Sequence, residues 1–313
     1  MSTLDYSVII ISFNGFEENT GPCLHALLGE NSCFNVEVIL LDNASTDGSR
    51  EKVKALEGTD PRLSIILNQE NRGFSGGNND AFRRSLGKRI VFLNSDTITH
   101  WNALDQLILE MDEDPSIKML GPVSNAVAGA QKIQCSKEEE LALSYGKDWM
   151  KAASSLPPFP TSSLSFFCIA VDAELYRTLD GLDESFKMGY FEDTDFSFRA
   201  RNINIMPYCT EKVFVYHKGG GSFEKLGPEP PFIAANKNLF KKRHGKTKSI
   251  KVREENLLRI KKYQERIKSG LDPKNRFLLL NRLSLTKEYQ PKSLLRSIPY
   301  RIKVFLALLK SSI

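Results

Sequence analysis

The sequence predicts an α/β fold in which a mostly parallel sheet is flanked by helices. Three observations point there. Short apolar runs rich in β-branched residues alternate with segments that carry helix-start signals, each run ends in a cluster of Asn, Asp or Ser, and 313 residues with 41% hydrophobic content can bury a substantial core.

The elements follow in order. "YSVIII", from Tyr6 to Ile11, is apolar on both faces and reads as a buried parallel strand. "NTGPCLHALL" then offers a capping residue, Pro22 in the first turn and leucines at 24, 27 and 28, which start a helix and give it an apolar face. "VEVILLD", from Val36 to Asp42, is the second strand and closes a βαβ unit. A helix in "STDGSREKVKAL", a strand in "LSIILN", a helix in "GGNNDAFRRSL" and a strand in "KRIVFLN" continue the alternation. No internal repeat or low-complexity tract interrupts it.

Composition excludes several classes. No run of eighteen apolar residues is present, and the first residues lack a basic segment with a cleavage site, so a cytoplasmic chain without a spanning helix is expected. Five cysteines (Cys23, Cys33, Cys135, Cys168, Cys209) are odd in number and fall in no CxxC or CxxH spacing, which argues for a reducing compartment and against zinc. The net charge of +5 hides an asymmetry of about +16 from Lys241 onward against about −11 before it. Two regions are therefore expected, residues 1–245 and a basic helical extension at 246–313, meeting near "KNLFKKRHGKTKS". Nucleic-acid binding is a poor account of that charge, because no recognisable scaffold with interleaved aromatic and basic residues accompanies it.

In parallel α/β sheets ligands sit at the carboxyl ends of the strands. Here those ends read Ser12-Phe13-Asn14, Asp42-Asn43, Asn68 ahead of "ENRGFSGGNN", and Asn94-Ser95-Asp96. Each alone fits a polar loop that caps the next helix; four together mark a site. One acid after the second strand also suits a dinucleotide fold, but "SFNGFEENTG" after the first strand has no GxGxxG turn. A second concentration of acid, "YFEDTDFSFRARN", places Glu192, Asp193 and Asp195 among aromatic residues, where a core segment would not carry charge without purpose.

"VIIISFNG", "LLDNASTDGS", "NRGFSGGNN", "FLNSDT", "GLDESF", "YFEDTDFSFRARN" and "VYHKGGGS", in that order, resemble the family-2 inverting glycosyltransferases of GT-A fold, especially a bacterial branch of rhamnosyltransferases in surface-polysaccharide assembly. The likeness covers about residues 6–245, which makes that stretch the GT-A glycosyltransferase domain. It implies transfer of a sugar from a nucleotide diphosphate donor, dTDP-rhamnose first and a UDP-hexose second, to a hydroxyl of a glycan or lipid-linked acceptor.

The resemblance also assigns residues. A divalent cation, Mg²⁺ or Mn²⁺, steadies the charge that grows on the diphosphate leaving group; Asp96 stands where the family holds it, with Asn94 at a position where many relatives carry Asp, and His217 completes the coordination. Asp42 accepts from the imide N–H of uracil or thymine, with Asn14 beside it. Gly73, Gly76 and Gly77 let the backbone approach the donor, and Asn78 opens a helix whose amides face the phosphates; a glycine turn ordered by its own packing is the plainer alternative. Asp193 is the general base and Glu192 binds an acceptor hydroxyl or orients the base. Asp195 caps the helix or pairs with Arg199, with about 1 kcal/mol of stability at stake.

"HKGGGSFEKLGPEPPF" reads as a lid or a passive loop. In "SIPYRIKVFLALLK" an apolar stripe at 298, 302, 305, 306 and 309 sits beside basic residues, so this helix rests on an anionic membrane surface, packs on the domain, or joins a homo-oligomer. Other functional classes fit less well. A nucleotidyltransferase that makes the nucleotide sugar needs basic residues after the first strand, and an inactive binding module would be expected to have lost Asp42, Asp96 and Asp193.

Overall fold

The computed structural model describes residues 4–219, 231–245, 252–270 and 275–288. The apolar run Tyr6–Ser12 forms β1, and Val36–Asp42 (β2), Leu63–Leu67 (β3) and Arg89–Asn94 (β4) lie parallel to it in the order β3-β2-β1-β4. Register puts Ser12 opposite Asp42, Asp42 opposite Leu67 and Ile11 opposite Asn94, so the polar strand ends finish flush along one edge. Between these strands run α1 (Gly21–Leu28), α2 (Ser49–Ala55) and α3 (Gly73–Phe82).

The second half of the sheet is mixed. Cys168–Asp172 (β8) enters antiparallel between β4 and Met119–Val123 (β6), and Tyr208–Phe214 (β9) and Phe159–Pro160 (β7) complete the order to β4-β8-β6-β9-β7. A separate two-stranded ribbon pairs Thr97–Ile98 (β5) with Tyr216–His217 (β10). Because side chains alternate along a strand, Val8, Ile10, Val38 and Leu40 pack on one face with α1 and α4 (Trp101–Glu113), while Ile9, Ile39, Leu41 and Phe92 pack on the other with Tyr176 of α6 (Ala173–Thr178) and Trp149 of α5 (Glu139–Ala153).

Two differences from the sequence reading concern element limits. Helix α3 starts at Gly73 rather than Gly76, because Gly73 takes a φ of +67° and its N–H donates to Asn71 Oδ1 (2.8 Å), a turn that begins the helix early. The change of composition near residue 245 does not coincide with a break in packing. After α7 (Glu192–Asn202) and α8 (Pro231–His244), the helices α9 (Val252–Lys268) and α10 (Asn275–Glu288) place Leu257, Ile260, Tyr263 and Leu278 in the same core as Trp149 and Phe159. Arg282 of α10 and Arg259 of α9 both reach Glu211 of β9 in the interior, the former at 2.8 Å.

Within the described residues no helix is long and apolar enough to cross a membrane. The glycine- and proline-rich stretch is described only at its two ends, and the amphipathic stripe from residue 298 lies outside the described residues.

Candidate active site

The ends of β1 and β2 are tied by their loops. Asn14, at φ 56°, donates its N–H to Ser45 Oγ (2.8 Å) and accepts the Thr46 N–H at Oδ1 (2.8 Å), and Gly15 N–H donates to Asp47 Oδ2 (2.7 Å). Asn14 thus sits on the loop that follows Asp42. Asp42 is fully buried: its Oδ2 accepts from Arg50 Nη1 (2.8 Å) and Ser45 N–H (3.2 Å), and its Oδ1 accepts no hydrogen bond. Arg50, which also reaches Asn68 O (2.7 Å), escapes the sequence reading. One signal was available: it occupies the second position of α2, where the helix dipole disfavours a cation.

Asn43 organises the glycine loop with its whole amide. Its Oδ1 accepts from Arg72 N–H (3.0 Å) and Asn68 Nδ2 (3.2 Å), and its Nδ2 donates to Gly73 O (3.0 Å) and Asn71 Oδ1 (3.1 Å). A Cβ on Gly77 would lie 3.3 Å from Ile11 Cγ2 and 3.4 Å from Asn43, so close helix-to-sheet packing already favours glycine there. Gly76 faces the Arg72 side-chain stem. Asn78 lies inside α3, buried, with Nδ2 donating to Phe74 O (2.9 Å), and does not open the helix.

Asn94 ends β4 with its N–H on Phe167 O (2.8 Å), and its carbonyl accepts the Thr97 hydroxyl (2.7 Å). That turn brings Asp96 to the ribbon. His217 Nε2 is 3.1 Å from Asp96 Oδ1, Nδ1 is 2.7 Å from Ala126 O, and Asn125 holds the His217 backbone at both N–H and C=O (2.9 Å each). The Phe167 ring stacks on the imidazole at 5.3 Å. Burial opposes the imidazolium, but the hydrogen bond and charge of Asp96 and the Ala126 carbonyl outweigh it, so His217 titrates above its ordinary range.

This geometry fits a divalent cation. The Ala126 carbonyl requires a proton on Nδ1, which leaves Nε2 facing a carboxylate, and that arrangement calls for a proton or a metal between them. Among the described residues no group of three or more His, Cys, Asp or Glu side chains gathers around one point. Two protein ligands suit a hard ion whose remaining positions are filled by phosphate oxygens and water.

The acids of α7 follow four residues of positive φ: Met188, Gly189, Tyr190 and Phe191. For the three non-glycines such a conformation costs roughly 1 kcal/mol or more each. Glu192 is buried with Oε2 accepting nothing, and half-buried Asp193 accepts at Oδ1 from the Thr194 N–H (2.5 Å) and hydroxyl (3.0 Å). Asp195 pairs with Arg199 Nε (2.6 Å), as expected, and also with His244 Nε2 of α8 (2.7 Å). Burial, then the charges of Asp193 and Asp195, push the Glu192 carboxyl well up. Burial raises Asp193 too, while its bonds to Thr194 pull it back. The Thr194 bonds favour the ionised form of Asp193, and no comparable donor serves Glu192 Oε2.

Contacts join the groups. Glu184 pairs with Arg72 Nη2 (2.9 Å) and accepts from Asn79 of α3 (3.1 Å), and the Met188 N–H lies 3.4 Å from where a Gly73 Cβ would stand. Lys218, just past His217, donates to Glu18 O (3.2 Å) in the segment after β1.

A family model, glycosyl transferase family 2, matches residues 7–178, just over half of the chain. The chain belongs to glycosyl transferase family 2. Curated relatives include TuaG of Bacillus subtilis, a putative teichuronic acid biosynthesis glycosyltransferase, 35% identical over 92 residues (29% of this chain), and WfgD of Escherichia coli, a UDP-Glc:α-D-GlcNAc-diphosphoundecaprenol β-1,3-glucosyltransferase, 32% identical over 105 residues (34% of this chain). The matched stretches cover 35% and 40% of those relatives' own lengths. The fold is shared with S. aureus TarS 1–349 in complex with UDP-GlcNAc (TM-score 0.56, 15% identity, 98% of this chain and 88% of that one). It is shared also with the mannosyltransferase PcManGT of Pyrobaculum calidifontis in complex with GDP-Man and Mn²⁺ (TM-score 0.52, 14% identity, 100% and 88%). In this family 2 chain the matched span contains Asn14, Asp42, the glycine loop, Asn94 and Asp96; Glu192, Asp193 and His217 lie beyond it.

Proposed function

We propose that this family 2 glycosyltransferase moves a sugar, with inversion, from a pyrimidine nucleotide diphosphate donor to a hydroxyl of a glycan or lipid-linked acceptor in bacterial surface-polysaccharide assembly. The observation that carries the reading is the geometry at the head of α7, where half-buried Asp193 accepts the Thr194 N–H and hydroxyl, bonds that favour its ionised form, beside buried Glu192, whose Oε2 accepts nothing. An ionised carboxylate in a partly dry site takes the proton from the attacking hydroxyl, and a protonated neighbour donates a hydrogen bond to it. Asp42 Oδ1, buried and accepting nothing, is the acceptor for a base imide N–H, while Arg50 holds the other oxygen and fixes the carboxylate plane. Asn43 keeps the Gly73 turn shaped for the donor phosphates. Asp96 and His217 would hold a divalent cation, whose charge would offset that growing on the leaving diphosphate.

The donor is dTDP-rhamnose or a UDP-hexose. UDP-GlcNAc in TarS supports a uridine donor, and the diphosphoundecaprenol acceptor in the name of WfgD supports a lipid-linked acceptor. The experiment is a donor panel of dTDP-rhamnose, UDP-glucose, UDP-GlcNAc and GDP-mannose with Mg²⁺ or Mn²⁺, reading nucleotide release, alongside calorimetry of the nucleoside diphosphates. Pyrimidine preference that Asp42→Ala weakens supports the reading. An Asp42→Ala chain that binds UDP, dTDP and GDP alike, with unchanged affinity, overturns the role of Asp42.

A further inference from the structure

The segment Met188 to Phe191 carries φ values of 65°, 124°, 69° and 78° and runs straight into Glu192, and no side chain caps α7. The entry to the helix is therefore set by whatever holds the backbone before it. That contact comes from the middle of α8. The side-chain amide nitrogen of Asn236 lies 3.1, 2.8 and 3.3 Å from the carbonyl oxygens of Lys187, Gly189 and Tyr190, and the residue is only 4% exposed. Three carbonyls around one amide group identify the NH₂ side unambiguously, and its two hydrogens are shared among them. The same carbonyls would repel one another without a donor at their centre. Phe240, one turn further along α8, supports the segment differently, through ring contacts with Phe191 (5.7 Å) and Phe198 (5.3 Å).

We propose that Asn236 is a positioning residue for glycosyl transfer: by gathering three carbonyls it holds the 188–191 backbone in its left-handed course and so fixes where α7 presents Glu192 and Asp193. The inference rests on the reading of Asp193 as the base. Nothing in the sequence around Asn236 announces the role, since "AANKN" lies in a polar, basic helix.

The test uses the full chain with Asn236→Ala, Asn236→Ser and Asn236→Asp. Hydrogen–deuterium exchange over residues 186–195 reads the backbone, calorimetry with UDP and Mn²⁺ reads donor-side binding, and steady-state rates use the donor chosen by the panel above. In Asn236→Ala, exchange at 188–193 accelerates and kcat per folded molecule drops roughly 10-fold or more, the scale of a small misplacement of a reacting group, while UDP affinity stays within about two-fold. Asn236→Ser, with one hydroxyl donor, falls between wild type and Ala. Asn236→Asp is worse than Ala, because a carboxylate then faces three carbonyl oxygens. The acid limb of the pH–rate profile moves down as the loosened acids gain water, a shift that a loss of folded protein alone cannot produce. Unchanged exchange, or kcat within about two-fold of wild type in both Ala and Asp variants, overturns the proposal. Should the Ala and Asp chains fail to fold, the Ser chain decides by the same readings. Exchange judges the clamp and Asp193→Asn judges the base, so the failure of either is separable.

Discussion

At the head of α7, neighbouring carboxyls differ in burial and in the donors that reach them. Asp193 keeps two bonds from Thr194 that favour its ionised form, whereas Glu192 has an oxygen with no donor and two charged neighbours. Asp193→Asn is expected to lower turnover by about 10²-fold or more with UDP affinity retained. Steady-state rates beside calorimetry check this, and a variant above about a tenth of wild-type turnover would remove Asp193 from the mechanism. Glu192→Gln exchanges a neutral carboxyl for a neutral amide, so turnover should stay within about 10-fold. Its stability effect has a definite sign. Below about pH 4.5 the carboxyl is protonated in both folded and unfolded chains and costs nothing. As pH rises further the unfolded chain gains by ionising while the folded one holds its proton, so wild type loses stability that the Gln variant keeps. Melting curves of the two should diverge with rising pH, and parallel curves from pH 4.5 to about 8 would refute the burial argument.

At the scale of elements, Asp195 belongs to helix docking. It is 1% exposed, and its two oxygens tie Arg199 within α7 and His244 at the end of α8, while Arg199 goes on to the Leu179 and Gly181 carbonyls. Reading only the i,i+4 spacing to Arg199 gives about 1 kcal/mol for its loss. The second partner, 49 residues away, raises the expectation. Asp195→Asn should cost about 2–3 kcal/mol, under the roughly 3–5 kcal/mol of a fully buried broken pair because Arg199 keeps some access to water. Melting should fall by roughly 5–10 °C, with turnover per folded molecule nearly unchanged. A large loss of turnover without loss of stability would move Asp195 into the chemistry.

At the scale of the molecule, the described helices of the basic extension, α9 and α10, contribute to the core. Burial alone would raise the Glu211 carboxyl, but Arg259 and Arg282 outweigh it and hold it down to about 2. A depressed carboxyl contributes stability above its ordinary pKa and loses it as pH falls through the folded value. The fluorescence of Trp149, under Arg282 and beside Phe277, should therefore report loosening of α10 between about pH 4 and 2. A chain ending at Gly245 would leave Glu211 buried without its arginines and is expected to be insoluble. Deletion from Ser293 should reduce binding to anionic vesicles, read by flotation, more than it reduces donor hydrolysis; equal flotation with and without the tail would exclude a membrane role for it, and a truncated chain that unfolds would make it a packing element.

The strands of the parallel half were legible because Tyr6–Ile11 and Val36–Asp42 state their burial in β-branched runs, and the residues after them stand at the site edge by simple topology. The antiparallel entry of β8 and the His244 contact were not legible, because each depends on a partner remote in sequence; Arg50 stands eight residues from Asp42, and its only cue was a cation in the first turn of a helix. The charge change near residue 245 does not report packing: α9 and α10 turn a few apolar residues and two arginines inward, while Lys261, Lys262 and Lys268 stay exposed.

Asn236 grips carbonyl oxygens, which every residue type possesses, and leaves the side chains of Met188 and Tyr190 at 41% and 46% exposure. Shape and lettering of this segment are thereby decoupled: the course of the main chain is inherited from α8, while the identities at 188 and 190 can drift. Met188→Gln and Tyr190→Ser should accordingly leave hydrogen–deuterium exchange at 188–193 and UDP affinity in place; faster exchange in either would show that the course of this segment depends on its own side chains.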